Sequence, residues 1–387
     1  MRVFIIAGEP SGDRLGAALM QGLKQLRPDV RFSGIGGPEM EGQGLESRFP
    51  MQELSVMGIA EILPGLRHLL RRIDETAQAV IAEMPDVLIT IDSPDFCLRV
   101  AKRARRQVPV HTVHYVAPSV WAWRPKRAAK MAKMIDHVLA LLPFEPPYMQ
   151  AAGMDCDFVG HPVAGEPVAG AAEIAAFRAV HDLGDAPLLT VLPGSRGGEV
   201  TRHAPIFGAA LAPILAERPE LRLILPTTGP QAERLRALTA DWAQPPLILD
   251  PRRLPAEQAQ AEKRAAFAAS DAALAASGTV SLELAAQGTP MAIAYGMSRV
   301  TWEIVSRMTL IDTVTLVNLI TDSRVVPECL GPRCTAEHIT PMLRGVLDAP
   351  ERQRAATART MELLGRGGEA PGLRAARAVL ARMPGAA

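Results

Sequence analysis

The chain has 387 residues, more than one hydrophobic core usually holds and comfortable for two domains, and its 48% hydrophobic and 21% charged side chains exclude wholesale disorder. With 42 basic against 41 acidic side chains and a formal charge of +1, no global field marks a nucleic-acid binder, so any anion site must be local. The four cysteines, Cys97, Cys156, Cys329 and Cys334, lack the paired spacing and neighbouring histidines of a zinc site and read as reduced thiols.

The opening stretch MRVFIIAGEPSGD carries an apolar run too short for a signal peptide and is expected to be the first strand. No stretch reaches the ~18 uncharged apolar residues of a spanning helix, so the protein is expected to be cytoplasmic, with any membrane contact peripheral. Short apolar runs then alternate with segments of helical period, the pattern of parallel sheets buried on both faces. VFIIAG, RFSGIG, DVLITID, VHTVHYV, HVLALLP and CDFVG form one set; LLTVLPG, LRLILPT, PLILD, AALAAS and MAIAYG form another. Between them GHPVAGEPVAGAAEIAAF reads as an interdomain connection. The expected architecture is α/β: an N-terminal domain at 1–166, a second domain at 167–350, and bent terminal helices at 351–387 that pack back on the first domain or on a partner subunit. Ligands of such sheets sit at the C-terminal ends of strands, so the two sheets are expected to face a shared cleft.

Strand one ends in AGEPSGDRLG, with Gly8, Gly12 and Gly16 four apart and Glu9 and Ser11 between them. It matches neither the dinucleotide fingerprint nor a Walker A loop. Its turn, capped by Ser11 or Asp13, suits an anion or a sugar hydroxyl, or simply needs glycine for its backbone angles. The segment VMGIAEILPGLRHLLRRI sets Ile59, Ile62, Leu63, Leu66, Leu69, Leu70 and Ile73 beside Arg67, Arg71 and Arg72. It reads equally as a helix lying in a membrane interface and as an ordinary core helix with a polar face.

In DVLITIDSPDF, Asp92 stands at a strand end where a carboxylate can deprotonate an acceptor hydroxyl, while Asp95 suits a turn cap. VHYVAPSVWAWRPKRAAKMAKM then crowds Tyr115, Ser119, Trp121, Trp123 and Arg124 ahead of Lys126, Lys130 and Lys133 on one helical face. Rings beside fixed cations suit a substrate both apolar and anionic; a solvated basic helix accounts for the lysines as well. Metal ligation finds little support: Asp155-Cys156-Asp157 precedes an apolar run instead of following one, and His111 and His114 point to opposite faces of a strand. No metal and no cofactor are expected.

The second set opens with LLTVLPGSRGGEV, a buried strand delivering Gly194, Ser195 and Arg196 to a helix start. Uncovered backbone N–H groups, a guanidinium fork and the positive end of the helix suit a diphosphate cradle without lysine or metal; alternatively Arg196 merely pairs with a surface carboxylate. ASGTVSLELAAQG repeats the arrangement, with Ser277, Gly278 and Thr279 opening a helix on which Glu283 faces a ribose or merely complements the helix dipole.

AGEPSGDRLG, GIGGPEM, MGIAEIL, IDSPDF, HYVAPSVWAWRPKR, LPFE, FVGHP, LPGSRGGEV, ASGTVSLE and LVNLI occur in the order found in the lipid-A-disaccharide synthase family, and the chain resembles that family from residue 3 to about 330. The resemblance implies a GT-B fold of two Rossmann-like domains and an inverting, metal-independent glycosyltransferase. Such an enzyme joins UDP-2,3-diacylglucosamine to 2,3-diacylglucosamine 1-phosphate, giving the β-1,6 lipid A disaccharide 1-phosphate and UDP. It implies catalytic roles for Asp92 as base and Arg196 at the departing diphosphate. Nucleotide-sugar binding falls to Ser195, Ser277, Gly278, Thr279, Glu283 and Asn318. Acceptor contacts fall to Gly8, Glu9, Ser11, Ser119, Trp121 and Arg124, and the membrane-facing residues are Ile59, Ile62, Leu66, Leu69, Arg67, Arg71 and Arg72. It further implies peripheral association with the cytoplasmic face of the inner membrane and a homodimer exchanging C-terminal parts. Two other readings stay open: a UDP-sugar 2-epimerase of the same architecture, and a non-catalytic peripheral module binding acidic lipids through its arginines and lysine face.

Overall fold

The computed structural model describes residues 1–54 and 62–385. The chain divides into two compact units, Met1–Gly165 with Leu364–Ala387, and Glu166–Leu363. Each is built on a six-stranded, wholly parallel sheet.

In the first unit the strands are β1 (Arg2–Ala7), β2 (Arg31–Ile35), β3 (Val87–Ile91), β4 (His111–Tyr115), β5 (His137–Ala140) and β6 (Asp155–Phe158), in the order β2-β1-β3-β4-β5-β6. Side chains alternate along a strand, so Phe4 and Ile6 join one core layer while Val3, Ile5 and Ala7 join the other. The helix Pro10–Leu26 covers the second layer with Leu15, Leu19 and Leu23, spaced to share one face. The second unit holds β7 (Leu188–Leu192), β8 (Arg222–Pro226), β9 (Leu247–Leu249), β10 (Ala272–Ala275), β11 (Met291–Tyr295) and β12 (Glu328–Leu330), in the order β12-β11-β10-β7-β8-β9. Every apolar run read from the sequence forms a strand. The edge strand β12, only three residues long, carried no such run.

In both sheets the first strand has neighbours reached by connections running in opposite directions, which creates a switch point between β1 and β3 and another between β7 and β10. The loops leaving these four strands are therefore the ones free to hold a ligand.

The tail divides differently from the expected boundary at 350. The helix Glu351–Leu363 stays with the second unit, where the buried Gln353 amide oxygen accepts the Met291 N–H at 2.7 Å. The chain returns to the first unit only from Leu364. There the helix Pro371–Ala381 crosses Pro10–Leu26 at glycines: a Cβ on Gly22 would lie 2.6 Å from the Gly372 carbonyl oxygen, so the two backbones touch. Ala375, Ala376 and Val379 complete the core layer there, and Arg382 pairs with Asp155 and Asp157, which occupies the Asp-Cys-Asp segment.

The helix Ile62–Glu83 corrects part of the membrane-facing expectation. Leu69 packs against the core, and Arg72 bonds Glu53 and Glu75 while lying 4.3 Å from the Phe49 ring centre. Arg67 and Arg71 remain exposed, although Arg71 reaches Glu75 at 3.5 Å. Ile59 lies outside the described residues, as do the side chains of Ile62 and Leu66. Among the described residues no helix is long and apolar enough to cross a membrane. All four cysteines are free and buried, and burial pushes the Cys156 thiol up to about 12 and Cys334 up to about 11.

Candidate functional site

At the switch point of the first unit, Gly8 leaves β1 against Ser93, which leaves β3. A Cβ on Gly8 would stand 2.4 Å from the Ser93 hydroxyl oxygen and 2.9 Å from its Cβ, so only glycine lets the two loops meet. Asp92 and Ser93 both hold left-handed backbone, at φ 49° and 41°, and Val116 after β4 does so at φ 82°. Such strain in non-glycine residues costs roughly 1–3 kcal/mol each and persists where the surroundings over-determine it. It presents the half-exposed Asp92 carboxylate at the strand end, its backbone N–H donating to the Tyr115 carbonyl at 3.0 Å.

Several neighbours sit otherwise than the sequence suggested. Glu9, not Ser11 or Asp13, is the N-cap residue of Pro10–Leu26, and Ser11 is exposed. Asp13 is buried and accepts the N–H groups of Gly37, Glu39 and Met40 at 2.8, 3.0 and 3.1 Å, fixing the turn after β2. Asp95 lies inside the first turn of Pro94–Ala104 with Ser93 at the cap.

Trp121 is also a correction. It is buried edge-on to Phe144 and donates its indole N–H to Glu145 at 3.2 Å, so it supports the loop after β4 from inside. Trp123 and Ser119 stay exposed, and the Arg124 guanidinium, on left-handed backbone at φ 53°, lies 4.2 Å from the Trp123 ring centre. Arg124, Lys126, Arg127 and Lys130 line an open cationic basin of about 600 Å³ with Asp95 at its edge.

The second unit holds a cavity of about 460 Å³, open to solvent on one side, at its switch point. Ser195 and Arg196 enter it from the loop after β7, and Ser277, Gly278, Thr279 and Glu283 from the loop and helix after β10. Three residues join them that no motif had marked: Thr227 and Thr228 after β8, and Lys263 from the helix Ala256–Ala269, which pairs with Glu283.

The turn's backbone donors are not uncovered. Glu199, in the first turn of the helix Gly197–Glu217, folds back so that its carboxylate accepts the N–H of Ser195 at 3.1 Å and of Arg196 at 3.3 Å. It also accepts the Arg196 guanidinium and the Tyr295 hydroxyl, each at 3.3 Å. Burial works to raise this carboxyl, but the N–H groups of Ser195 and Arg196 and the guanidinium outweigh it and hold Glu199 below the usual carboxylate range. Gly194, at φ 134°, makes the fold-back possible, since a Cβ there would stand 2.5 Å from that of Glu199. Glu199 thus already occupies the donors that the sequence reading offers to a diphosphate. The capping-box spacing from Arg196 to Glu199 was the available signal.

Behind the turn, the buried His203 joins the ends of β7 and β11: its Nδ1 lies 2.7 Å from the Pro193 carbonyl oxygen, and its Nε2 accepts the Gly296 N–H at 3.0 Å. Asn318 departs from its expected role at the sugar. It is buried, donates to the Thr313 hydroxyl at 3.1 Å and to the Val326 carbonyl at 2.8 Å, and accepts the Val326 N–H at 2.9 Å. Its amide is consumed in bracing the segment around Thr313. Among the described residues no three His, Cys, Asp or Glu side chains cluster closely enough to hold a metal ion.

The family model described as lipid-A-disaccharide synthetase matches residues 3–373. A lipid-A-disaccharide synthase of Ruegeria pomeroyi is 64% identical over 385 residues, covering 100% of this chain and 96% of that protein. One of Rhodospirillum centenum is 46% identical, covering 98% of this chain and 94% of its own length. Among solved structures, a UDP-GlcNAc 2-epimerase of Neisseria meningitidis bound to UDP-GlcNAc aligns with TM-score 0.64 at 10% identity, covering 98% of both chains. That of Methanocaldococcus jannaschii aligns with TM-score 0.58 at 13% identity and 98% coverage of both. These structural likenesses show the fold alone: two Rossmann-like α/β units of the GT-B type.

Proposed function

Because this chain belongs to the lipid-A-disaccharide synthase family, we propose that it is an inverting glycosyltransferase of lipid A biosynthesis, joining UDP-2,3-diacylglucosamine to 2,3-diacylglucosamine 1-phosphate. The observation that carries this reading is the cavity between the β7 and β10 loops, where one guanidinium, two small-residue turns and the carboxylates of Glu199 and Glu283 converge. The acceptor's 6-hydroxyl oxygen attacks the anomeric carbon from the face opposite the nucleotide; that C–O bond forms as the bond to the diphosphate breaks. The hydroxyl proton passes to Asp92, which sits at the loop where strain holds a carboxylate outward. Negative charge builds on the departing UDP, and Arg196 with the Ser195 and Arg196 N–H groups offsets it. Glu283 accepts the ribose hydroxyls while Lys263 neutralises it.

The acceptor's phosphate suits the cationic basin of Arg124, Lys126, Arg127 and Lys130, and its sugar the loops at Gly8, Glu9, Ser11 and Ser119. The protein then works as a peripheral protein, as a homodimer, at the cytoplasmic face of the inner membrane, with the exposed Arg67 and Arg71 toward lipid phosphates.

The test is turnover: both diacylated substrates in detergent micelles with chelator present, following UDP release and disaccharide by mass spectrometry. Disaccharide dependent on both substrates supports the reading, and Asp92→Asn should abolish it while leaving UDP affinity unchanged. Conversion of UDP-N-acetylglucosamine alone would replace the transferase with an epimerase. Unchanged turnover in Asp92→Asn would remove the carboxylate from the mechanism.

A further inference from the structure

A second cavity, of about 430 Å³, opens beside the nucleotide cavity and shares Arg196, Glu199 and Ser277 with it. Its chemistry is different. Trp302 and Val305 of the helix Arg299–Met308, Ile311 and Val314 of the segment that follows, and Tyr295 and Leu330 at the ends of β11 and β12 form its wall. The polar backbone behind that wall is already satisfied: Glu328 accepts the N–H groups of Val314 and Thr315 and the Thr313 hydroxyl, and Asn318 braces the same segment. Ser306, Thr309 and Asp312 also line it, but the two hydroxyls donate to the Glu303 and Val305 carbonyls and Asp312 pairs with Arg324, so away from the anion cradle the cavity offers mainly apolar side chains.

The helix itself is unusual in burying none of its residues. Val300, Ile304, Val305, Met308 and the following Leu310 are exposed by 72, 56, 39, 42 and 62%, and they are half of the ten exposed large apolar side chains among the described residues. Residues 302, 305, 306 and 309 share the face that lines the cavity, whereas 300, 304 and 308 repeat every four residues on another. Exposed apolar surface gathered in so short a segment marks a binding surface.

We propose that this cavity receives an acyl chain of the nucleotide-sugar donor, with the outer stripe of the helix carrying the length that extends past its rim. The inference rests on the diacylated UDP-sugar reading above and adds where the lipid goes. A ligand whose diphosphate lies against Arg196 stands at residues common to both cavities, which brings a substituent on its sugar within reach of the apolar one. The volume lies in the range of small-molecule sites. Each methylene accommodated should raise affinity by about fourfold until the cavity is full.

The experiment measures affinity by calorimetry for UDP, UDP-N-acetylglucosamine and UDP-2,3-diacylglucosamine of short and long acyl chains, all as monomers, in wild type, Val305→Asp and Val305→Leu. The expected result is unchanged affinity for UDP and UDP-N-acetylglucosamine in all three proteins. Val305→Asp should lose tenfold or more for the long-chain donor and less for the short-chain one, and Val305→Leu should behave as wild type. Wild-type affinity of Val305→Asp for the long-chain donor would overturn the proposal, as would loss of vesicle binding by this variant with donor affinity intact, which would make the surface a membrane contact. A wild-type protein that does not bind UDP would fail the transferase reading itself, an outcome distinct from either.

Discussion

Replacing Glu199 by Gln removes one negative charge from the cradle while keeping an oxygen to accept the Ser195 and Arg196 N–H groups. The carboxylate accepts both of these donors together with the Arg196 guanidinium, so a diphosphate must displace it or bind against it. Two unit charges about 4 Å apart repel by roughly 4 kcal/mol at an effective dielectric constant of about 20. The side chain is 14% exposed and can swing toward solvent, which relieves most of that cost. About a third of it remaining, ~1.4 kcal/mol, corresponds to tenfold in affinity. Calorimetric titration with UDP should therefore show Glu199→Gln binding about tenfold more tightly than wild type at low ionic strength, with the difference shrinking in high salt. The same change weakens a charge at a helix N-terminus by about 0.3–1 kcal/mol, so Tm should fall by about 1–3 °C. Equal or weaker UDP binding alongside the lowered Tm would refute the reasoning: Glu199 would then be a cap alone, and the diphosphate would not use these donors.

Arg196→Ala should cost about 10²- to 10³-fold in kcat, and Arg196→Lys should recover little of it because an ammonium cannot reproduce the guanidinium fork; steady-state kinetics decides, and full rescue by lysine would make Arg196 a simple point charge. Burial pushes the Glu145 carboxyl up to about 7 from 4.5 despite hydrogen bonds from the Leu142 N–H and the Trp121 indole. Between those values the folded state holds a proton that the unfolded state releases, so stability declines as pH rises through the window, by on the order of 3 kcal/mol at most. Glu145→Gln should accordingly gain Tm over wild type at pH 8 and much less at pH 5, and an equal difference at both would contradict the assignment. Gly22→Val should separate the helices Pro10–Leu26 and Pro371–Ala381, since even a Cβ there stands 2.6 Å from the Gly372 carbonyl oxygen and 3.0 Å from the Ala376 Cβ. Overpacking of this kind costs about 1–3 kcal/mol. Limited proteolysis should then cut the C-terminal helix early, and an unaltered digest would show that the crossing tolerates the added bulk.

The fold was legible because strands buried on both faces must be apolar along their whole length; LLTVL and VLITI declare themselves without any partner in view. The loops that end them were legible for a related reason, as glycine and small residues are needed wherever backbones approach, as at Gly8 and Gly194. Other positions were ambiguous in kind. Trp121 and Asn318 have side chains equally able to touch a ligand or to brace a loop, and only burial and hydrogen-bond partners separate these uses.

The sequence by itself determined the two sheets, the small-residue loops at their strand ends, and the placing of Asp92, Arg196 and Glu283 at or just after those ends, because periodicity and turn chemistry are local. Tertiary structure alone decided that Lys263 and the threonines after β8 line the cavity between the β7 and β10 loops, that Glu199 occupies the N–H groups of Ser195 and Arg196, and that a second, more apolar chamber adjoins it. Each of these depends on which loops the order of strands brings side by side, and strand order is set by packing between segments far apart in the chain.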